Sequence, residues 1–401
     1  MEKVFALGRR IIPKALFNFA QNPYHYLLAL LAGLIYRFPA WQIKVIAVTG
    51  TKGKTTVCEL LGFILNEAGY KTAVSSTLRS ERSTPGRFAM QKFLRRTVRA
   101  ECRYAVIEMT SQAVLQYRHK FIKLDTLIFT GIHPEHIEAH GSFENYLDSK
   151  LELARTRPGI IVANLDDEYG QRFLEYGQEK IGYRLSEFGY QTKLLGDFNK
   201  LNIIAAAKCA KALGVPEENI RNAVAKFEGV PGRVEFVKNN LGIDVVIDYA
   251  HTPGSLEAIY KALRQAQSKN TNQKLICVFG ACGGGRDKWK RPEFGKLADQ
   301  YCSHIILTNE DPYNEDPRAI VNEIETGIAD KSKYEVEMDR RKAIARALSL
   351  AVAPPLGGGT ASSVVLITGK GTDPYIMGPR GSKTPWSDKT IALEELAKLR
   401  N

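Results

Sequence analysis

A short apolar run, followed by a glycine-rich loop and a helix start, constrains this chain more than any other feature. Residues 43–56 read IKVIAVTGTKGKTT, and apolar residues continue at helical spacing after them. Strand, glycine loop and helix in this order are typical of a phosphate-binding loop, whose backbone N–H groups face a polyphosphate. We expect Lys54 to reach the β- and γ-phosphates of ATP and the Thr55 hydroxyl to hold Mg²⁺. The expected ATP-binding residues of the loop are Gly50, Thr51, Lys52, Gly53, Lys54, Thr55 and Thr56.

The composition is that of an ordinary globular protein with an unusual charge. At 401 residues, with 44% hydrophobic and 25% charged residues, the chain is long enough for two or three domains. Its net charge of +13 favours polyanionic ligands such as nucleotides or an anionic membrane face, and no nucleic-acid-binding motif accompanies it. The six cysteines form no C-x-x-C pair. We therefore expect reduced thiols of a cytoplasmic protein, with neither a disulfide framework nor a zinc site.

Residues 1–42 precede the loop strand and form a segment of their own. Basic residues at positions 9, 10 and 14 come before an apolar stretch at residues 24–38. A signal peptide is not expected because no small-residue cleavage site follows, and the uninterrupted apolar run is shorter than a transmembrane helix requires. We predict a helix that packs on the domain that follows. Contact of residues 1–38 with an anionic membrane surface is the open alternative.

Short apolar runs alternate with helical patterns along the rest of the chain. The predicted strands lie at residues 71–75, 104–108, 126–130, 160–164, 244–247, 275–279, 304–308 and 364–368. Such alternation predicts mainly parallel sheets with helices on both faces. Glycine and proline at residues 229–232 mark a domain boundary. The predicted fold class is α/β, with a phosphate-loop central domain at residues 43–230 and a Rossmann-like C-terminal domain at residues 231–401.

Polar residues that could hold a metal or a phosphate follow several of these strands. Glu108 closes a strand in the same domain as the loop, where a carboxylate can hold the Mg²⁺ that bridges ATP phosphates. His133, His136 and His140 lie within eight residues of one another, which suggests a metal or phosphate site, with an ordinary surface loop as the alternative. Lys150 lies in a predicted helix and on its own indicates only a solvated lysine.

Together these stretches resemble the Mur ligase family, the ATP-dependent amino-acid ligases of peptidoglycan precursor synthesis, and in particular its members that add the third amino acid. Residues 49–56 resemble the family loop T-G-T-N-G-K-T-T, and residues 248–253 match D-Y-A-H-T-P. The family motifs T-T-P, E-V-S-S-H, D-H…H-G, G-x-F-N…N, G-R and R-D-K-x-K-R-P have counterparts at residues 83–85, 108–112, 135–141, 196–202, 232–233 and 286–292. The resemblance implies a ligase that activates a carboxylate as an acyl phosphate, which the amine of an amino acid then attacks.

The resemblance also implies the roles of individual residues. Catalytic roles fall to Lys54, Glu108, His136 and Lys150. Two Mg²⁺ ions are implied, the first held by Thr55 and Glu108, the second by His136 and a carbamylated Lys150, because a carbamate offers a hard metal an oxygen ligand. The implied ATP contacts outside the loop are Asn199, Arg233 and Asp248. The implied substrate-binding residues are Ser83, Thr84, Pro85, Ser111, Asp311, Tyr313, Gly369 and Asp373.

The expected amino-acid site departs from the family pattern. The family's D-N-P-R reads E-D-P-Y at residues 310–313, and its G-K-G-H-E reads G-K-G-T-D at residues 369–373. Tyr313 cannot form the bidentate ion pair that an arginine makes with the distal carboxylate of diaminopimelate. Lysine or another amino acid is therefore expected as the substrate, and Asp311 or Asp373 could pair with its ammonium group.

The acceptor is the second open question. The family normally begins with a UDP-binding domain, and the 42 residues before the loop strand are too few to form one, so we expect that domain to be absent. A UDP-N-acetylmuramoyl peptide is the expected acceptor, and a non-UDP acceptor such as a lipid-linked muropeptide or a poly-amino acid is the alternative. A non-catalytic nucleotide-binding module is disfavoured because Lys54, Glu108 and Lys150 are all present.

Overall fold

The computed structural model describes residues 14–79, 84–134, 140–267, 273–352 and 363–399, with side chains from residue 22 onward. The chain divides into two compact units, each with its own sheet and hydrophobic core. The first unit consists of Met1–Thr192 and Asn199–Phe227, and the second consists of Lys193–Phe198 and Glu228–Asn401.

The first unit is built on a six-stranded sheet. Its strands are β1 (Lys44–Thr49), β2 (Thr72–Ser75), β3 (Tyr104–Glu108), β4 (Thr126–Phe129), β5 (Ile160–Asn164) and β6 (Glu179–Tyr183). Their order is β2-β3-β1-β4-β5-β6, and every neighbouring pair is parallel. The helices are α1 (Lys14–Ile35), α2 (Lys54–Glu67), α3 (Arg87–Arg99), α4 (Ser111–Leu115), α5 (Phe143–Arg155), α6 (Gly170–Leu174), α7 (Asp197–Ala212), which enters this unit at Asn199, and α8 (Glu217–Lys226).

The central position of β1 explains its sequence and locates the phosphate loop. Residues 45–48 have no exposed surface. A parallel strand that is covered on both faces has a continuous run of apolar residues, as this one does. In the register of the sheet Val48 lies beside Glu108, and Thr49 lies beside Phe129. The loop after β1 therefore begins at the sheet edge where β3 ends in a carboxylate and β4 ends in a polar turn.

Helix α1 packs on the first unit, as the sequence predicts. Just after the C-terminal end of α1, the carbonyl oxygens of Tyr36 and Arg37 accept hydrogen bonds from the Arg95 side chain on α3, both at 2.9 Å. Gly33 leaves room for the Phe38 ring, since a Cβ there would come within 2.4 Å of it. Residues 1–13 of the predicted segment lie outside the described residues. Among the described helices, none combines the length and the hydropathy that crossing a membrane would need.

The second unit contains a second, mixed sheet. Its strands are β7 (Glu235–Phe236), β8 (Asp244–Asp248), β9 (Lys274–Phe279), β10 (His304–Leu307), β11 (Tyr334–Val336) and β12 (Ser363–Thr368), and β13 (Tyr375–Met377) and β14 (Lys383–Pro385) form a separate hairpin. The order is β11-β10-β9-β12-β8-β7, with only β7 antiparallel. The helices are α9 (Pro253–Gln267), α10 (Lys290–Tyr301), α11 (Pro317–Glu325), α12 (Arg340–Val352) and α13 (Asp388–Lys398).

The α/β fold class predicted from the sequence is confirmed, while the expectation for the cysteines is wrong. Each predicted strand is present to within a residue or so at its ends. The structure joins Cys277 on β9 to Cys302, which follows α10, in a disulfide. The two cysteines meet because α10 returns the chain to the start of β10, which pairs with β9 in the sheet. C-x-x-C spacing does not reveal this proximity. Cys58, Cys102, Cys209 and Cys282 are free thiols.

Candidate active site

Two glycines let the phosphate loop lie flat against the edge of the first sheet. Gly50 has φ +145°, and a Cβ at this position would come within 2.0 Å of the Thr130 hydroxyl oxygen. Gly53 has φ +80°, and a Cβ there would come within 2.2 Å of the Asn202 side-chain oxygen. At both glycines the loop backbone therefore packs too closely against a neighbouring side chain to admit a Cβ, and α2 begins directly after the loop, at Lys54. The backbone N–H groups at a helix N-terminus can bind phosphate oxygens.

The Thr55 hydroxyl and the Glu108 carboxylate meet behind the loop. Thr55 Oγ1 donates to Glu108 Oε2 at 2.9 Å, and both side chains are buried. The same carboxylate oxygen accepts bonds from the backbone N–H of Thr77 at 3.2 Å and from its hydroxyl at 3.0 Å. Hydroxyl and carboxylate oxygens are the ligands that Mg²⁺ prefers, so this pair fits the first metal position that the sequence suggests.

Two lysines contact the same loop from different elements. Lys54 Nζ donates to the carbonyl oxygen of Thr51 at 2.9 Å, and the buried Lys150 Nζ donates to that of Gly50 at 2.8 Å. Lys150 also lies over the Tyr146 ring, 4.7 Å from its centre. Tyr146 is four residues earlier on α5, and its hydroxyl lies 2.9 Å from Thr51 Oγ1. Lys150 therefore contacts the phosphate loop from helix α5. It is not the solvated lysine that its position in the sequence alone indicates.

Thr84 and Ser111, two of the substrate-binding residues expected from the sequence, lie near the end of β3. Thr84 Oγ1 donates to the carbonyl oxygen of Glu108 at 2.9 Å and accepts from the Thr110 N–H at 3.0 Å. Ser111 Oγ lies 3.1 Å from His140 Nε2, and both side chains are buried. Pro85 follows Thr84 and is partly exposed. Ser83 and His136 lie outside the described residues.

The three ATP contacts expected beyond the loop fall in different units. Asn199 belongs to the first unit, where its side-chain oxygen accepts a 3.4 Å hydrogen bond from Asn202. Arg233 and Asp248 belong to the second unit. Asp248 accepts hydrogen bonds from the N–H groups of Val234 at 2.8 Å and Ala250 at 2.6 Å. Burial raises the pKa of Asp248, while the Arg233 guanidinium acts in the opposite direction.

The two aspartates expected to bind the amino acid differ sharply in their surroundings. Lys370 Nζ donates to both oxygens of Asp311, at 2.9 and 2.7 Å, and Oδ1 also accepts from the N–H of Met377 at 2.8 Å. Asp373 lies 3.7 Å from the same ammonium group. The Asp373 side chain is 38% exposed, whereas that of Asp311 is 7% exposed. Asp311 is thus largely occupied by Lys370, and Asp373 is the more accessible carboxylate.

Burial and neighbouring charges shift the pKa values of this cluster. Burial would lower the pKa of Lys370, but Asp311 and Asp373 outweigh it, so its pKa is raised and the ammonium stays charged. Burial raises the pKa of Asp373, with Lys370 opposing. Burial likewise raises the pKa of Glu310, to which the Cys282 thiol donates a hydrogen bond. The cluster therefore holds one charged ammonium group among three carboxyl groups, two of which have raised pKa values.

Tyr313 and Gly369 both have positive φ in the loops around this cluster. Tyr313 has φ +53°, and the Arg286 guanidinium lies 5.8 Å from its ring centre. Gly369 has φ +104°, and a Cβ there would come within 2.1 Å of Glu310 Oε2. Tyr313 therefore contacts a cation of the protein itself, and Gly369 is required for the close approach of Glu310.

Sequence reasoning missed several residues of both sites. Thr77, Tyr146, Lys370 and Arg286 all contact expected site residues. Tyr146 carried a usable signal, because it is four residues before Lys150 and shares its helix face. Arg286 and Lys370 stand inside the motifs at residues 286–292 and 369–373, whereas no motif points to Thr77. No group of three or more histidine, cysteine, aspartate or glutamate side chains poised to hold a metal occurs in the described ranges, which omit His136.

Two family models match the chain, one in each unit. Residues 48–189 match the Mur ligase middle domain, and residues 232–371 match the Mur ligase glutamate ligase domain. Both matched ranges include residues of the sites described above, the phosphate loop in the first and the Asp311–Lys370 pair in the second.

Individual relatives extend these matches to most of the chain. The UDP-N-acetylmuramoyl-L-alanyl-D-glutamate–2,6-diaminopimelate ligase of Syntrophomonas wolfei is 33% identical over 92% of this chain and 81% of the relative. The ligase of the same name from Thermosynechococcus vestitus is 35% identical over 86% of this chain and 75% of the relative. A solved structure of a ligase with this name is 26% identical, with a TM-score of 0.61 over 90% of this chain and 79% of that structure. The chain belongs to the Mur ligase family and is an ATP-dependent amide ligase.

Proposed function

We propose that this ligase joins an amino acid to the terminal carboxylate of a UDP-N-acetylmuramoyl peptide during peptidoglycan precursor synthesis. The observation that carries the proposal is the convergence of Lys54, Lys150, Thr55 and Glu108 on one glycine loop. The Lys54 cation and the Thr55–Glu108 pair at a phosphate loop are suited to transfer of a γ-phosphoryl group, and Lys150 adds a second buried group at the same loop. The relatives that carry the acceptor in their names support the choice of substrate.

The proposed reaction has two steps. The acceptor carboxylate oxygen attacks the γ-phosphorus of ATP, a new P–O bond forms, and the bond to the β-phosphate oxygen breaks to release ADP. The amine of the amino acid then attacks the carbonyl carbon of the acyl phosphate, phosphate leaves with the original carboxylate oxygen, and the amine loses a proton. Lys54 stabilises the charge that develops on the transferring phosphoryl group, and Thr55 and Glu108 are proposed to hold Mg²⁺ for this purpose.

A second Mg²⁺ is proposed at Lys150 and His136. Lys150 reaches the Gly50 carbonyl from a buried position, so a carbamate on its nitrogen would present oxygen atoms to the loop. His136 is assigned from its motif alone. Asn199, Arg233 and Asp248 are proposed ATP contacts, with residues 43–230 acting as the ATP-binding domain and residues 231–401 as the amino-acid-binding domain.

The substrate assignments follow the same division. Ser83, Thr84, Pro85 and Ser111 are proposed to bind the acceptor peptide. Of the residues proposed for the amino acid, Asp373 is favoured as the partner of the substrate ammonium because Asp311 already accepts two hydrogen bonds from Lys370. The remaining proposed contacts at this site are Tyr313 and Gly369.

A non-UDP acceptor, such as a lipid-linked muropeptide, is the second candidate. It is favoured by the leucine-rich outer face of α1, where Leu27, Leu31 and Leu34 are exposed. Contact of residues 1–38 with the inner face of a membrane belongs to the same proposal, and use of ATP is consistent with a cytoplasmic enzyme.

The proposal is tested by measuring ADP release against matched pairs of acceptor and amino acid. The purified chain is incubated with ATP and Mg²⁺, each of several UDP-muramoyl peptides, and each of a panel of amino acids, and products are identified by mass. Release of ADP should require both substrates and yield an acceptor heavier by one amino-acid residue. Turnover with a lipid-linked acceptor and none with any UDP-linked acceptor would replace the first candidate with the second.

A further inference from the structure

Exposed apolar side chains are concentrated at one end of the first unit. Among the described residues, six of the eleven exposed large hydrophobic side chains lie between residues 26 and 41. On α1 they recur at helical spacing, and the inner side of the helix is buried through Ala29 and Ala32. Trp41 follows and is 71% exposed. The exposed residues of this stripe are Tyr26, Leu27, Leu31, Leu34, Ile35 and Trp41.

A cavity of about 800 Å³ adjoins the stripe. Phe38, Trp41 and Phe121 line it, and the Phe121 ring also packs against the Tyr26 ring of α1 at 5.2 Å between centres. Its other walls are the turns that lead into β4, β5 and β6. The cavity therefore lies at the amino-terminal edge of the sheet, opposite the edge that holds the phosphate loop.

The charges around the cavity are mainly positive. Lys123 and Arg157 line it, and both are exposed. Lys123 lies 6.0 Å from the centre of the Trp41 ring, and no ion pair of either cation occurs within the described part of the chain. The lining carboxylate, Asp125, accepts a hydrogen bond from the Val45 N–H. Residues 15–36 contain no charged side chain, and the thirteen residues before α1 carry three basic residues and one acidic residue.

We infer that the α1 stripe and this cavity dock on an anionic lipid bilayer, with Lys123 and Arg157 binding lipid phosphates. An apolar helix face edged by aromatic rings and cations is the composition of an interfacial anchor. A second copy of the chain is a poorer occupant, because a two-fold contact would bring the same cations together. The inference deepens the membrane contact included in the proposed function and rests on it.

Docking at this edge would leave the catalytic loop accessible. In a parallel sheet the two edges are separated by the length of the strands, roughly 13–20 Å for four to six residues. The phosphate loop follows the carboxyl end of β1, whereas the cavity residues precede β4, β5 and β6. A bilayer at the cavity would hold the enzyme at the surface with its phosphate loop on the other edge of the sheet.

Co-sedimentation with lipid vesicles tests the inference on the full chain. Vesicles of phosphatidylglycerol mixed with phosphatidylcholine are compared with vesicles of phosphatidylcholine alone. Binding is expected for the anionic vesicles and should weaken as salt is raised. The Leu27→Gln/Leu31→Gln/Leu34→Gln variant should bind at least ~10-fold more weakly. Lys123→Gln/Arg157→Asn should bind ~25-fold more weakly, at about fivefold for each charge; asparagine suits the φ of +55° at Arg157.

A matched control removes exposed apolar side chains elsewhere. Phe236→Thr/Leu393→Gln alters exposed residues of the second unit and should bind like the unchanged chain. Absence of vesicle binding, or equal losses in the control, would overturn the inference. The inference would also be overturned if the stripe variant differed from the unchanged chain only in having half its mass in solution. The stripe would then be the contact between two copies of the chain. Ligase turnover with a water-soluble acceptor is measured in parallel, so that loss of docking and loss of catalysis are distinguished.

Discussion

The phosphate-loop site and the Asp311–Lys370 site differ in where the counter-charge of their lysine comes from. At the phosphate loop of the first unit, Lys54 donates to a backbone carbonyl oxygen, and the negative charge that its ammonium group is proposed to balance belongs to a polyphosphate. In the second unit Lys370 is held by Asp311, with Asp373 nearby, so the protein supplies both signs. This contrast suits the proposed substrates of the two sites, because a nucleotide is strongly anionic whereas an amino acid carries both charges.

The contrast also distinguishes residues that are expected to stabilise the fold from residues that are proposed to bind substrate. Around the loop, the buried polar groups converge on the position where phosphate and metal are proposed. In the second site the most buried pair, Asp311 and Lys370, is complete without a ligand, and Asp373 is left as the accessible group. Substitutions at the phosphate loop should therefore lower turnover. Substitutions in the second site should lower stability or the affinity for the amino acid.

The largest effect is expected from Asp311→Asn. The change would leave the buried Lys370 ammonium without its main counter-charge, which typically costs about 3–5 kcal/mol of unfolding free energy. Urea unfolding of the full chain, followed by circular dichroism, measures the loss. The double variant Asp311→Asn/Lys370→Met should recover most of it, because it removes both charges. Equal stability of Asp311→Asn and the unchanged chain would mean that the pair has no structural role.

Lys54→Met should reduce turnover while leaving the fold intact. Losing one cation that stabilises the transferring phosphoryl group should lower kcat by roughly 10²–10³-fold, with little change in unfolding free energy. ADP release under saturating substrates measures the effect. Lys71→Met, at an exposed lysine before β2, is the matched control and should keep full activity. A decrease of less than tenfold for Lys54→Met would contradict the role given to this residue.

The buried His119 should make the first unit acid-sensitive. Burial lowers the pKa of His119 to about 4 from an ordinary value of 6.5, so the unfolded chain binds this proton first as the pH falls. The stability from keeping the ring neutral is full above pH 6.5 and declines toward pH 4, by about 2 kcal/mol near pH 5. Unfolding of the unchanged chain and of His119→Leu is compared near pH 5 and pH 7.5. The difference between them should shift in favour of the variant at the lower pH, and a pH-independent difference would exclude this origin.

The smallest effect should come from Asp373→Asn. Its partly exposed carboxylate lies 3.7 Å from Lys370, so the change should alter unfolding free energy by less than about 1 kcal/mol. Loss of the proposed ammonium contact should instead raise KM for the amino acid by roughly tenfold with a smaller change in kcat. Steady-state kinetics with varied amino acid measures both constants. An unchanged KM would remove Asp373 from the amino-acid site.

The sequence allowed the strands and the loop to be predicted because their signals are local. A buried parallel strand such as β1 consists of a run of apolar residues. Gly50 and Gly53 occupy positions where the backbone has positive φ. The Asp311–Lys370 pair, 59 residues apart, depends on which loops the second sheet brings together. Neither its existence nor its consequence for Asp311 could be inferred from residue type.

The same limit explains the missed contacts of the first site. Thr77 donates to Glu108 across 31 residues, and Cys277 joins Cys302 across 25. Such pairs follow from the order β2-β3-β1 and β10-β9-β12, which local periodicity does not encode. Tyr146 and Lys150, in contrast, share a helix face, and that part of the site could have been foreseen.

The central claim is that the loop transfers a γ-phosphoryl group to a carboxylate before the amide forms. The acceptor is prepared with the heavy oxygen isotope in its terminal carboxylate, and the phosphate released during turnover is examined by mass spectrometry. Acyl-phosphate chemistry predicts that each released phosphate carries one heavy oxygen from the acceptor. Amide formation accompanied by unlabelled phosphate would contradict the account.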